Sequence, residues 1–241
     1  MRAPAHRCTR RSMLMPMADS HRHPVFARAY AWLSQRMEPE LAPHRRRLLA
    51  GLTGRVVELG AGNGLNFAHY PASVTQVLAV EPEPHLRGLA ETAAREARVH
   101  VVVVDGDGSR LPVADASVAA AVTSLVLCSV PDPAAALAEI RRVLRPGGQL
   151  RFFEHIRADN PVLDRVQRSL DATIWPRIAG GCHTNRDTIG AIETAGLRID
   201  RVARFMFPDV RVALPTSPHV LGTATSSAVG SPTPFVDIER G

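Results

Sequence analysis

Hydrophobic positions along the chain change period twice. From Val25 the apolar residues Phe26, Tyr30, Leu33 and Met37 are spaced by four, three and four, which places them on one face of a helix. Pro39 and Pro43 interrupt this pattern, so a second helix is predicted from His44 to Ala50, ended by Gly51 and Gly54. After that, short β-rich runs alternate with helical segments. Val56-Val57-Glu58-Leu59 reads as a first strand, and Gly64 to His69 as the opening of a helix. "VTQVLAVE", "VHVVVV" and "SVAAAVTSLVL" read as the second to fourth strands, with a helix in "PHLRGLAETAAREA". "DPAAALAEIRRVLRPGG" is a helix stopped by Pro146 and the Gly147-Gly148 pair, and "QLRFFEH" is a fifth strand.

Such alternation predicts an α/β fold: a parallel sheet with helices on both faces, Rossmann-like in its winding. The unbroken valines of the third strand predict burial on both sides. The alternation then stops. Residues 156–184 are mixed, and Asp187 to Ala195 is helical. "LRIDRVARFMF" and "HVLGTATS" follow with no helical pattern between them, so this last pair of a seven-stranded sheet is predicted antiparallel.

Composition narrows the class. With 241 residues, 45% hydrophobic and 22% charged, the chain has the size and balance of one globular domain with additions. No apolar run reaches the roughly 18–20 residues of a membrane span. The formal charge is +6, yet the sequence contains no lysine. Its cationic character follows an Ala-, Arg-, Gly- and Pro-rich composition and the run His44-Arg45-Arg46-Arg47, so no nucleic-acid partner is expected. Cys8, Cys128 and Cys182 form no CxxC pair, which predicts a reducing, cytoplasmic setting with no disulfide framework and no metal site. Residues 1–24 read as a disordered leader with Met17 as an alternative start, residues 25–50 as a helical cap, residues 51–225 as the main domain, and residues 226–241 as a flexible tail.

The candidate chemistry sits where the first strand ends, in "GRVVELGAGNGLNF". A glycine inside an ordered element costs about 0.5–1 kcal/mol relative to alanine, so three close together point to a ligand lying against the main chain. In an open parallel sheet that turn faces the ligand crevice, and a helix start there offers unpaired N–H groups to a negative group. The run Gly60-Ala61-Gly62-Asn63-Gly64 is G-x-G-x-G, and Leu65 stands where the third glycine of a dinucleotide fingerprint would fall. Glu81 ends the second strand 21 positions after Gly60, where a carboxylate accepts both hydroxyls of a ribose. Asp107 and Gly108 follow the third strand. An NAD-dependent oxidoreductase remains the alternative of a different class.

The string E-x-G-x-G-x-G from Glu58 to Gly64 resembles the first motif of class I S-adenosylmethionine-dependent methyltransferases. "DGSRLPVADASVAAAVTSLVLCSVPDP" and "RRVLRPGG" resemble the small-molecule branch with a type-11 methyltransferase domain. "NGLNFAHYP", "EPEPH", "LVLCSV", "FFEH", "IWPRIAGGCHTNRDT" and "PHVLG" are similar, in order, to strings of the animal alkyl thiol S-methyltransferases, from about Tyr30 to Ala224. The resemblance implies a cofactor, S-adenosyl-L-methionine, held by Glu58, Gly60, Ala61, Gly62, Asn63, Gly64, Asn66, Phe67, Glu81, Pro82, Asp107, Gly108 and Leu125. Glu58 would help to orient the cofactor's ammonium group through the loop or water, and Asp107 with the Gly108 N–H would meet the adenine. It also implies a small, fairly apolar methyl acceptor: a thiol or, alternatively, a quinone, phenol or lipid methylated on oxygen, carbon or nitrogen. His155, at the carboxyl end of the fifth strand, is the candidate base, with His183 behind it. Two positions depart from the animal pattern: Ala61 stands where cysteine is usual, and no apolar anchor precedes Tyr30, which leaves only peripheral membrane contact.

Overall fold

The computed structural model describes residues 24–208, 210–211 and 213–226. The leader expected before Pro24 and the tail expected after Ser226 lie outside the described residues. The chain opens with one long helix, α1 (Pro24–Leu49), then β1 (Gly54–Leu59), a short 3-10 turn (Phe67–His69) and β2 (Val74–Val80). There follow α2 (Pro84–Glu96), β3 (Val101–Val104), β4 (Val118–Ser124), α3 (Pro133–Val143) and β5 (Leu144–His155). The last third holds α4 (Pro161–Asp171), α5 (Trp175–Ile178), α6 (Thr188–Thr194), β6 (Leu197–Met206) and β7 (Pro218–Ser226). No helix among the described residues is long and apolar enough to cross a membrane.

Seven strands form one sheet in the order β3-β2-β1-β4-β5-β7-β6. β1 to β5 run parallel, and β7 inserts antiparallel between β5 and β6, as the missing crossover in the sequence requires. Because β-strand side chains alternate, neighbours part to opposite faces. Val57 and Phe152 enter the core layer with Leu137, Ile140 and Ile192 under α3 and α6. Val56 and Phe153 enter the layer with Leu48, Leu49, Phe67 and Ala90 under α1 and α2. The winding reverses between β1 and β4, so the loops after these two strands diverge and open a crevice at their carboxyl ends.

Four elements differ from the sequence reading. The two helices expected before Gly51 are one helix that runs through Pro39 and Pro43. Each proline removes a helical hydrogen bond, but packing outweighs this loss. Arg45, beyond both prolines, donates from Nε to Glu38 Oε2 on the near side at 2.9 Å, and Leu41 and Leu48 are buried on the sheet. No α-helix follows the glycine-rich loop. Only the turn Phe67–His69 forms, because Asn66 and Phe67 turn inward and Pro71 closes the segment before a helical nucleus can extend. The valines of β3 are half-buried, since this strand is at the sheet edge. Finally, α3 ends at Val143, short of Pro146. Leu144 already pairs with Val118, and Pro146 to Gly148 fall at an irregularity within β5.

Candidate active site

The loop after β1 is fixed by its own hydrogen bonds. Gly60 and Ala61 both donate from their amides to Val80 O, at 2.8 and 3.1 Å, and Gly64 N donates to Ala61 O at 3.0 Å. Gly60 (φ +65°) and Gly62 (φ +58°) lie in the left-handed region that disfavours side chains. A β-carbon at Gly60 would stand 2.5 Å from Val126 Cγ2, and one at Gly62 would meet the Tyr30 ring at 3.4 Å. Both glycines line a cleft of about 270 Å³ over the strand tips, near the lower end of the roughly 300–1,000 Å³ usual for small-molecule sites.

Of the sequence candidates, Gly60, Gly62, Glu81, Pro82, Asp107, Gly108 and Leu125 converge on this cleft. Glu81 accepts from Gly62 N at 2.7 Å on Oε2 and from Glu83 N at 2.9 Å on Oε1. Burial pushes its carboxyl up, against the two backbone donors. Asp107 Oδ1 accepts from Ser109 N at 2.8 Å, which turns the loop after β3 toward the cleft. Leu125 carries φ +60°, rare for a bulky residue, and its amide is tied to Phe153 O at 2.7 Å.

The other candidates stand behind the loop. Glu58 is buried beneath it, Oε1 accepting from Asn66 Nδ2 and Oε2 from the Tyr70 hydroxyl, both at 2.7 Å. Burial raises its pKa to about 7, with these two donors opposing. Asn66 Oδ1 in turn accepts from Arg45 Nη1 at 2.9 Å. Asn63 donates to Ser34 Oγ at 3.0 Å, Ala61 and Phe67 are core residues, and Gly64 packs on Phe67 and Ala93. The structure therefore gives Glu58 no cleft-facing oxygen; it braces the loop from below.

Beyond Tyr30 and Leu125, which border both spaces, lies a second cavity of about 170 Å³. Leu33, Met37 and Leu41 of α1 form its roof, and Phe207, His155 and His219 line its other sides. His219 donates or accepts at Nδ1 with Ser217 O, 2.8 Å away; since a carbonyl only accepts, the proton is on Nδ1. Burial lowers its pKa to about 4, so the ring is neutral. His155 is buried, with Nε2 3.1 Å from Cys182 Sγ, while its Nδ1 has no partner. Cys182 Sγ also accepts from Trp175 Nε1 at 3.3 Å. The Cys182 thiol is pushed well up by its contact with Cys128 and by burial. His183 is displaced to the rim, 3.7 Å from Asp171.

Several site residues escaped the sequence reading. Tyr30, Leu33 and Met37 were visible as a helical stripe, but the same spacing describes plain core. The Gly180-Gly181 pair was a signal in the mixed segment: both residues line the first cleft, and a β-carbon at Gly180 would overlap the Phe26 ring. On sequence alone Phe207, His219 and Arg45 have no role in the site: Arg45 stands out only within the charged run 44–47, and His219 only within the string "PHVLG". A larger open groove of about 810 Å³ lies between α3 and α6 at the opposite end of the strands, away from these groups.

Comparisons with known proteins agree with this geometry. The methyltransferase domain family matches residues 57–152. The chain is 35% identical to human thiol S-methyltransferase TMT1B over 182 residues, 73% of each protein. It is 35% identical to the mouse protein of that name over 206 residues, 80% of this chain and 83% of the relative. A solved geranyl diphosphate methyltransferase in complex with GPP and sinefungin superposes with a TM-score of 0.61 at 18% identity, over 79% of this chain and 80% of that one. Fold, strand-tip cleft and relatives together define a class I methyltransferase whose cofactor is S-adenosyl-L-methionine, which removes the dinucleotide alternative. Within that class, the chain belongs to the thiol S-methyltransferase family.

Proposed function

We propose that this enzyme transfers the methyl group of S-adenosylmethionine to the sulfur of a small, largely apolar thiol. The observation that carries the reading is the second cavity: mostly apolar on its α1 side, where Leu33, Met37 and Leu41 stand beside Ser34 and Arg45, and adjoining the cofactor cleft at Tyr30 and Leu125. Relatives named thiol S-methyltransferases supply the acceptor atom.

In this reading Gly60, Gly62, Glu81, Pro82, Asp107, Gly108 and Leu125 hold the cofactor. The side-chain-free turn at Gly62 and the Glu81 carboxylate, both lining the cleft, fit its ribose and amino-acid portions. Glu58, Ala61, Asn63, Gly64, Asn66 and Phe67 hold the loop in shape. Residues 25–50 act as a cap on the body formed by residues 51–225, through the face that carries Tyr30, Leu33 and Met37. The cofactor supplies a methyl on a sulfonium, already a good leaving group. The chain's task is then to align donor and acceptor and exclude water, worth up to about 7–11 kcal/mol. A thiol of pKa about 8.5 is partly ionised at neutral pH, so it asks little of a base. His155 lines the second cavity, which supports the reading that it is the base where the acceptor needs one. The buried free thiols Cys128 and Cys182 fit a reducing cytoplasm.

The test is a competition. Labelled S-adenosylmethionine is offered with matched thiols, phenols, quinols and amines of similar size. Label is expected in the thioether; exclusive labelling of an oxygen, carbon or nitrogen acceptor would end the thiol reading.

A further inference from the structure

Three buried soft donors meet where β4, β5 and the segment after α5 converge. Cys128 Sγ, Cys182 Sγ and a ring nitrogen of His155 all lie within 4.8 Å of one another. A tetrahedral zinc site with Zn–S of about 2.3 Å and Zn–N of about 2.0 Å needs donor atoms roughly 3.5–3.8 Å apart. The observed His155 Nε2 to Cys182 Sγ distance is 3.1 Å, within a few tenths of an ångström of that requirement. We propose that Cys128, His155 and Cys182 form a binding site for one thiophilic divalent cation of the zinc class, with its fourth position open.

The protein leaves these donors poorly satisfied but firmly placed. Among the described residues the only hydrogen-bonding partner of the His155 ring is a sulfur, a weak hydrogen-bonding atom, and its Nδ1 has none. Buried imidazoles normally find better partners. The segments that carry the cysteines are tied together on both sides. His183 N donates to Cys128 O at 2.8 Å. Arg186 Nη1 donates to Leu127 O at 2.6 Å and Val130 O at 2.7 Å. No fourth histidine, cysteine or carboxylate joins the cluster among the described residues. Three protein ligands with one position open is the pattern of a reactive zinc centre rather than a structural one. The spacing hid it: each donor stands 27 positions after the last, so no short motif exists.

The neighbours of the donors say what the open position faces. Ser129 and Gly181, each next to a ligating cysteine, line the cofactor cleft, while His155 lines the acceptor cavity. If the thiol reading above holds, on which this step rests, the acceptor sulfur takes the fourth position. Its S–H bond breaks, the proton leaves to water, and the sulfur keeps the electron pair on the cation. That sulfur then forms the new S–CH3 bond as the cofactor's S–CH3 bond breaks, and the pair from the broken bond neutralises the departing sulfonium. Thioether and S-adenosylhomocysteine are the products.

The experiment uses the full chain in a Cys8→Ser background, reduced, stripped with chelator and titrated with Co²⁺ and then Zn²⁺. One Co²⁺ per chain is expected, with thiolate-to-cobalt charge-transfer absorption that Zn²⁺ abolishes. Cys128→Ser and Cys182→Ser are each expected to fall from one cation per chain to none. X-ray absorption on the unmutated protein, which needs no folded variant, should count two sulfur ligands. A cobalt spectrum of oxygen ligation, or both variants keeping the band and stoichiometry, would overturn the site. Full thiol methylation by the stripped protein would overturn its part in the reaction while leaving the thiol reading intact. A two-sulfur cation in a chain that methylates no thiol would uphold the site and sink the thiol reading instead.

Discussion

The two halves of the crevice are built differently. Where β1, β2 and β3 end, the cleft is made of main chain: Gly60, Gly62 and Gly108, braced by one carboxylate, Glu81, on the Gly62 amide. Where β4 and β5 end and the antiparallel β7 begins, it is made of side chains brought from afar, with His155 beside His219 in strand register and Tyr30 and Met37 reaching over from α1. Each half has a buried glutamate at a strand end, and the two differ in the same way. Glu58 is satisfied by the side chains of Asn66 and Tyr70. Glu154 is held mainly by main chain, its Oε2 accepting from the Val126 amide at 2.9 Å with the Leu127 amide and the Thr123 hydroxyl also directed at the carboxylate. Burial raises both to about 7. The first half is closed by contacts local in sequence, whereas the second is assembled from segments far apart in the chain.

Breaking the seam between the halves should have the largest effect. In Gly60→Ala the new β-carbon meets Val126 across the seam at 2.5 Å in a left-handed backbone. Overpacking and strain together should cost about 3 kcal/mol or more by urea unfolding, with cofactor binding lost. Next comes the pH response of the braces. A carboxyl whose native pKa is raised from 4.5 to about 7 keeps a proton that the unfolded chain has released, so stability falls as pH rises through that window and is level above it. Glu58→Gln should therefore remove up to about 3 kcal/mol of this decline between pH 4.5 and 7. The comparison is between variant and parent, because His219, held down to about 4, contributes the opposite slope from pH 4 to 6.5. Unfolding curves of equal slope for the two proteins would contradict it.

Glu81→Ala should weaken S-adenosylmethionine binding by about 1–3 kcal/mol through loss of a charged acceptor, as read by calorimetry. Its Michaelis constant for the acceptor should stay level. The smallest effect is expected in the other half. Met37→Ala removes apolar surface from the acceptor roof and should raise that constant about tenfold, near 1.4 kcal/mol, with cofactor affinity unchanged. Weaker binding of both ligands in either variant would mean that the halves do not divide the work in this way.

Legibility in the sequence follows the same division. The glycine-rich turn, Glu81 at the second strand tip, and the antiparallel end pair are local patterns whose physics is contained in a few adjacent residues. What the sequence hid depends on distant partners. Whether α1 breaks at Pro39 and Pro43 depends on Arg45 meeting Glu38 and Asn66. Whether a helix follows Gly64 depends on Asn66 and Phe67 finding partners inside the core. The valines of β3 carry the same pattern at an edge as at a centre, and only the strand order distinguishes the two. The acceptor cavity combines α1, β5 and the residues between β6 and β7, a distance in sequence that no periodicity spans.

The chain from Arg45 through Asn66 to Glu58 fastens the rear of the roof to the floor of the nucleoside seat. Lifting that end would break the buried bond from the Arg45 guanidinium to Asn66, a charge-assisted contact that resists opening there. At the front, by contrast, the Phe26 ring rests on Gly180 and Tyr30 faces Gly62, and van der Waals contacts of this kind yield more easily than a buried charged bond.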